Sequence, residues 1–96
     1  MKVLVLDEAV ADLAAGFRFY QRQADGLGDY FLDTLWADIQ ALQIYAGIHS
    51  RHFGYFRLLS KRFPFAVYYK VEAGIVRVYA VLDWRKNPGL IVSRLE

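Results

Sequence analysis

Few residues in the chain have types and spacings that could do chemistry. His49 and His52, in "IHSRHF", stand three apart, and two imidazoles at that spacing can share a metal ion. A complete first shell needs three or four ligands, and the chain offers no cysteine and no carboxylate nearby in sequence, so the pair reads as surface histidines of a loop beside Arg51. Asp25, Asp29 and Asp33 recur every four residues, which fits a solvated helix face better than an acid/base pair. Ser50, Ser60 and Ser93 lack the context of a nucleophile elbow, and "GLGDYF" has neither the spacing nor the lysine of a phosphate-binding loop. Arg62, Lys70, Arg77, Arg85 and Lys86 could hold phosphate, but a metal-free ribonuclease also needs a general acid or base, and none stands out beside them.

The stretch "VLDWRKNPG", Val81 to Gly89, is the most pointed. A strand that closes on Asp83, Trp84, Arg85 and Lys86, rather than on Gly or Ser, carries the cation-plus-aromatic composition of interface anchors. Two readings follow: a recognition edge, or a local ion pair of Asp83 with a neighbouring cation while Trp84 packs on the core. The Asn87-Pro88-Gly89 sequence reads as the break that ends the strand.

The elements that must position these groups follow from periodicity. Lys2 to Leu6 is a short, β-rich strand. Val10, Leu13, Phe17, Tyr20 and Ala24 recur at helical steps after Asp7, a candidate N-cap. "DGLG", Asp25 to Gly28, interrupts that helix, and Leu27, Phe31, Leu35, Ile39 and Leu42 form the stripe of a second, ending near Gly47. Strands follow at Tyr55 to Leu59, Phe65 to Val71 and Ile75 to Val81, the last two joined by a turn at Glu72 to Gly74. Pairing them about Ala73-Gly74 sets Val71 against Val76, Tyr69 against Val78, Val67 against Ala80 and Phe65 against Leu82, an all-apolar face. The other face pairs Lys70 with Arg77, Tyr68 with Tyr79 and Ala66 with Val81, two tyrosines and two opposed cations with nothing of this chain left to cover them. The expected fold is α+β, an N-terminal helical hairpin packed on one face of an antiparallel sheet.

The bulk properties agree with one domain over residues 1–96. The chain is 56% hydrophobic and 17% aromatic, enough for a real core. The absence of cysteine excludes disulfides and thiolate chemistry and suits a reducing, cytoplasmic setting. The five-residue apolar run at the start is too short for a signal peptide, and no stretch approaches a membrane span. The net charge of +2 is lopsided: residues 1–46 hold three cations against seven acids, residues 47–96 nine against three. The basic half is suited to an acidic peptide or a nucleic acid.

In order along the chain, "AVADLAAGFRFY", "GLGDYF", "FRLLSKRFPFAVYY", "IVRVYAVLDWRKNP" and "SRL" resemble the ParE branch of the RelE/ParE superfamily of bacterial type II toxin–antitoxin modules. The most telling pieces are Arg62-Phe63-Pro64-Phe65 before the third strand and Arg85 with Pro88 after the fourth. The resemblance covers about the full length and implies the same fold. It implies a plasmid-stabilisation type of toxin that inhibits growth by binding DNA gyrase without a cofactor, and a ParD-like antitoxin that neutralises it in a hetero-oligomer. Tyr68, Lys70, Arg77 and Tyr79 would dock the acidic, partly apolar antitoxin segment, and Arg62, Asp83, Trp84, Arg85 and Lys86 would contact the target. The alternatives are an mRNA-cleaving RelE-type toxin and an inactive interaction module of the same fold. Ala66 and about Ile91 occupy the places where RelE-type ribonucleases carry an arginine and an aromatic hydroxyl, which argues against cleavage. Asp83 stands where many ParE-like chains carry a histidine.

Overall fold

A computed structural model describes residues 1–96. In chain order the elements are β1 (Lys2–Val5), α1 (Asp7–Gln23), α2 (Leu27–Tyr45), β2 (Arg51–His52), β3 (Tyr55–Leu59), β4 (Phe65–Glu72), β5 (Ile75–Asp83) and α3 (Pro88–Leu95). The strands form one sheet in the order β1-β5-β4-β3-β2, antiparallel except that β1 runs parallel to β5. The sheet is therefore mixed. Side-chain parity tells which face a residue takes but not which way the strand runs, so the direction of β1 was invisible in the sequence.

The helical hairpin covers one face. On α2 the buried residues are Phe31, Leu35, Ile39 and Leu42, the stripe expected from periodicity. On α1 the stripe is rotated: Ala9, Leu13 and Gly16 are buried, while Val10 is 52% exposed and Ala24 also faces solvent. Close helix contact explains the rotation. A Cβ on Gly16 would lie 2.5 Å from the Phe31 ring, and one on Gly28 would lie 2.7 Å from the carbonyl oxygen of Phe17. Glycine at these two positions lets each helix touch the other's backbone, and hydrophobicity alone does not reveal such contacts. The residue that caps α1 is Leu6, without a side-chain bond, and Asp7 is instead the first helical residue, placed to favour the helix dipole.

The β4–β5 hairpin turns through Ala73 and Gly74, both at positive φ, as a type I′ turn requires. Val71 faces Val76, Lys70 faces Arg77 and Tyr69 faces Val78, as parity predicted. A β-bulge then intervenes between Tyr68 and Tyr69, and Tyr68 faces Ala80, Val67 faces Val81, Ala66 faces Leu82 and Phe65 faces Asp83. The expected Tyr68–Tyr79, Val67–Ala80, Ala66–Val81 and Phe65–Leu82 pairs do not form. The extra residue flips the parity of β5, and Val81 joins the main core while Ala80 turns to the far face.

The far face is not bare. Ala66, Tyr68 and Ala80 are buried there by Ile91 and Leu95 of α3. The Asn-Pro-Gly sequence read as a break is in fact the start of this helix. Asn87 caps it, its Oδ1 accepting from Gly89 N at 2.7 Å, and Pro88 occupies the first turn, where its missing N–H costs nothing.

Candidate functional site

Two groups of polar residues converge from different elements. The first lies where β5 ends and β4 begins. Its floor is an aromatic cluster: Tyr20 of α1 meets Phe63 at 4.8 Å and Phe31 at 5.2 Å, and Phe31 meets Phe65 at 4.9 Å. The loop before β4 is tied to the end of β5 by Trp84 N donating to Pro64 O at 3.0 Å. Arg62 crosses to α2, donating to the Tyr30 hydroxyl at 2.7 Å and lying 5.9 Å from its ring centre. Arg62, Asp83, Trp84, Arg85 and Lys86 thus share one end of the molecule.

One part of the ion-pair reading of the strand end is realised there and the other is not. Arg85 makes a fork on Asp83, Nε to Oδ1 at 3.1 Å and an Nη to Oδ2 at 2.8 Å, and the Arg85 amide adds a third bond to Oδ1 at 2.9 Å. The local ion pair exists. Trp84, however, is 43% exposed instead of lying in the core, and Lys86 is exposed beside it. The arginine fork holds the Asp83 carboxyl below the usual range, and Asp83 in turn raises Arg85. Burial pushes the Tyr20 hydroxyl up, with Asp83 adding to that shift and Arg85 opposing it.

The second group lies on the far face of the sheet. Lys70 sits between two rings, its Nζ 4.6 Å from the centre of Tyr55 and 5.7 Å from that of Tyr79. Arg77 approaches Glu72 at 3.8 Å. The opposed cations are therefore quieted within the chain, one by aromatic faces and one by a carboxylate, and their repulsion is not a reserve for a partner to relieve. Tyr68 is fully buried under α3, so it cannot be the exposed contact expected of it. Burial raises its hydroxyl, with Arg57 opposing, and the hydroxyl has no hydrogen-bond partner within the chain. Lys70, Arg77 and Tyr79 remain at the rim, joined by Tyr55, whose hydroxyl donates to Leu95 O at 2.6 Å and fastens the end of α3.

A third constellation joins residues from opposite ends of the chain. Asp12 of α1 accepts two bonds from Arg94 of α3, at 2.7 and 2.9 Å, and one from the Val81 amide at 3.0 Å. β1 pairs β5 only as far as Val78, so the Val81 N–H would otherwise be an open sheet edge. Arg94 is raised by its bonds to Asp12. Ion pairs 82 residues apart in sequence carry no local signature. The quoted "SRL" contained one partner, and only the α3 cap at Asn87 could have hinted that it lay on a helix.

The histidines do not converge. His49 Nδ1 meets the Tyr69 hydroxyl, which also accepts from Gly47 N at 3.0 Å, and burial lowers its pKa. That lowered pKa favours the neutral imidazole over the imidazolium. His52 instead faces Ser50 at 3.2 Å. No three His, Asp or Glu side chains gather as metal ligands. Ala66 and Ile91 both lie in the apolar cluster beneath α3.

No family model and no curated protein matches the sequence. Among solved structures, a chain described as "Chromosomal ParDE TA system from P. aeruginosa" superposes with a TM-score of 0.74 over 84% of this chain and 92% of that one, at 22% identity. At that identity the likeness speaks to architecture, and the chain has the RelE/ParE-like fold, two N-terminal helices on one face of a five-stranded mixed sheet.

Proposed function

We propose that the chain is the toxin of a two-protein toxin–antitoxin module, acting in the cytoplasm on DNA gyrase and neutralised by a ParD-like antitoxin. The observation that carries this reading is the fold shared with a chain of a ParDE system across most of both chains. The end bearing Arg62, Trp84, Arg85 and Lys86 supports a protein target. It presents an exposed indole and cations on a rigid aromatic floor, the composition of a binding anchor. Binding is favoured over RNA cleavage because the places where the resemblance puts a nuclease's arginine and aromatic hydroxyl hold Ala66 and Ile91, both buried and aliphatic.

The antitoxin segment docks along the rim formed by Lys70, Arg77 and Tyr79, with Tyr55 extending the aromatic surface. An acidic residue there would compete with Glu72 for Arg77 and pair with Lys70 at the mouth of its aromatic cage. Lys70→Ala with Arg77→Ala should weaken antitoxin binding about tenfold and flatten its salt dependence. An unchanged affinity and salt slope would move the docking face elsewhere.

The test of the whole reading is inducible expression of the chain with and without a short acidic reading frame sought beside its gene. Growth arrest with gyrase-dependent DNA damage, relieved by that frame, is expected. Arrest with ribosome-dependent mRNA cleavage and untouched gyrase would replace the target, and no arrest would leave an interaction module.

A further inference from the structure

We propose that the open cleft between α1, the end of β5 and α3 binds one nucleotide of a single-stranded nucleic acid. The cleft has a volume of about 570 Å³, within the roughly 300–1,000 Å³ of small-ligand sites. Arg18, Phe19 and Arg22 of α1 line one wall, and Asp83 and Lys86 line the other. Arg94, also in the lining, is taken by Asp12 and Glu8. Arg18, Arg22 and Lys86 enter none of the chain's ion pairs. Three cations without counter-charges around a concavity focus a positive potential into it, which favours an anion.

Two further features select a nucleotide over an acidic peptide. Phe19 is 53% exposed at the cleft wall and offers a planar apolar face on which a base can stack. The carboxylates of Asp12 and Asp83 also line the cleft, each already balanced by an arginine fork, with lone pairs left to accept. A carboxylate side chain offers such a wall only acceptors, which those oxygens repel. A nucleotide offers phosphate to the cations and amino, imide or hydroxyl donors to the carboxylates, the imide N–H being the donor of thymine. Ala15 and Gly16 keep the α1 wall low, leaving room for a ring against Phe19.

This site shares Asp83 and Lys86 with the strand end but does not rest on the toxin reading, because purified protein with no target present tests it. Fluorescence anisotropy with a labelled short oligothymidylate at low salt is the measurement. Arg18→Gln with Arg22→Gln should weaken binding about tenfold or more. Phe19→Ala should weaken it about fivefold or more through lost stacking. Lys2→Gln with Lys61→Gln removes the same charge elsewhere and should change affinity less than about twofold. Amide NMR shifts on the unaltered protein should concentrate at Ala15, Gly16 and Val81 on adding thymidine monophosphate or the oligonucleotide. Equal loss in both double variants would mean diffuse electrostatics and overturn the site. So would displacement of the oligonucleotide by polyglutamate at equal charge, shifts centred elsewhere, or no binding at all.

Discussion

Asp12–Arg94 and Asp83–Arg85 are the same chemistry in two settings. Each is a bidentate fork of arginine on aspartate with bonds between 2.7 and 3.1 Å, and each aspartate also accepts a backbone amide. They differ in reach. Asp83 and Arg85 are two residues apart, and the arginine side chain is 61% exposed. Asp12 and Arg94 are 82 residues apart, join α1 to α3 across the end of β5, and leave the arginine side chain only 34% exposed. A fork that closes a long loop and caps a sheet edge holds a fold together. A fork between near neighbours at the surface orients a side chain, and water screens most of its energy. The first should matter for stability and the second for recognition.

Removing the acid of the long-range fork should have the largest effect. Asp12→Ala leaves the half-buried Arg94 without its main partner and the Val81 amide unpaired. It should cost about 2–3 kcal/mol and lower the melting temperature by about 10 °C or more. A variant that melts with the parent would make the fork idle. The apolar anchor of the same helix comes next: Leu95→Ala empties part of the cluster around Tyr68 and should cost about 2 kcal/mol, with Tyr68 fluorescence or amide exchange reporting the loosened α3. A stable Leu95→Ala with protected Tyr68 would mean that α3 is held by polar contacts alone.

The local fork should respond differently. Arg85→Ala should shift stability by less than about 0.5 kcal/mol, because the arginine is exposed to water, yet abolish growth inhibition. A large drop in melting temperature would make this fork structural too, and full toxicity in a stable variant would remove Arg85 from the target surface. The smallest effect is electrostatic. Asp83 is held below its ordinary pKa in the folded chain, so its contribution to stability is present above about pH 4 and fades as pH falls through the lower folded value. Carboxyl-carbon NMR should show Asp83 titrating closer to the ordinary range in Arg85→Ala. An unchanged titration would mean that the backbone amide, and not the fork, sets it.

What the sequence disclosed follows the same division between local and distant. The α2 stripe, strands β1, β3, β4 and β5 and the inner half of the β4–β5 register were legible, because each depends on periods of a few residues, whereas the two-residue β2 falls in a stretch that reads as a loop. The cluster Asp83 to Lys86 was legible for the same reason. The bulge, which leaves Tyr79 of β5 without a partner opposite the Tyr68–Tyr69 step, was not, since inserting a residue leaves both parities apolar: Val81 and Ala80 can each sit inside. The rotation of α1 depended on Gly16 meeting Phe31, a fit of shapes with no trace in hydropathy. Helix α3 has a readable signature, an Asn-Pro start and apolar Ile91 and Leu95 four apart, but a proline after a strand reads as a stop as readily as a first turn. A stop there would leave the far sheet face bare and Tyr68 exposed; the helix covers both.

We propose that the cationic, aromatic end acts on gyrase. The direct measurement is supercoiling of relaxed plasmid by purified gyrase, with the parent chain and the Arg85→Ala variant titrated in at matched, verified fold. The parent should inhibit supercoiling or trap cleaved DNA, and the variant should do neither. Unimpaired supercoiling at saturating, folded parent protein would contradict the account.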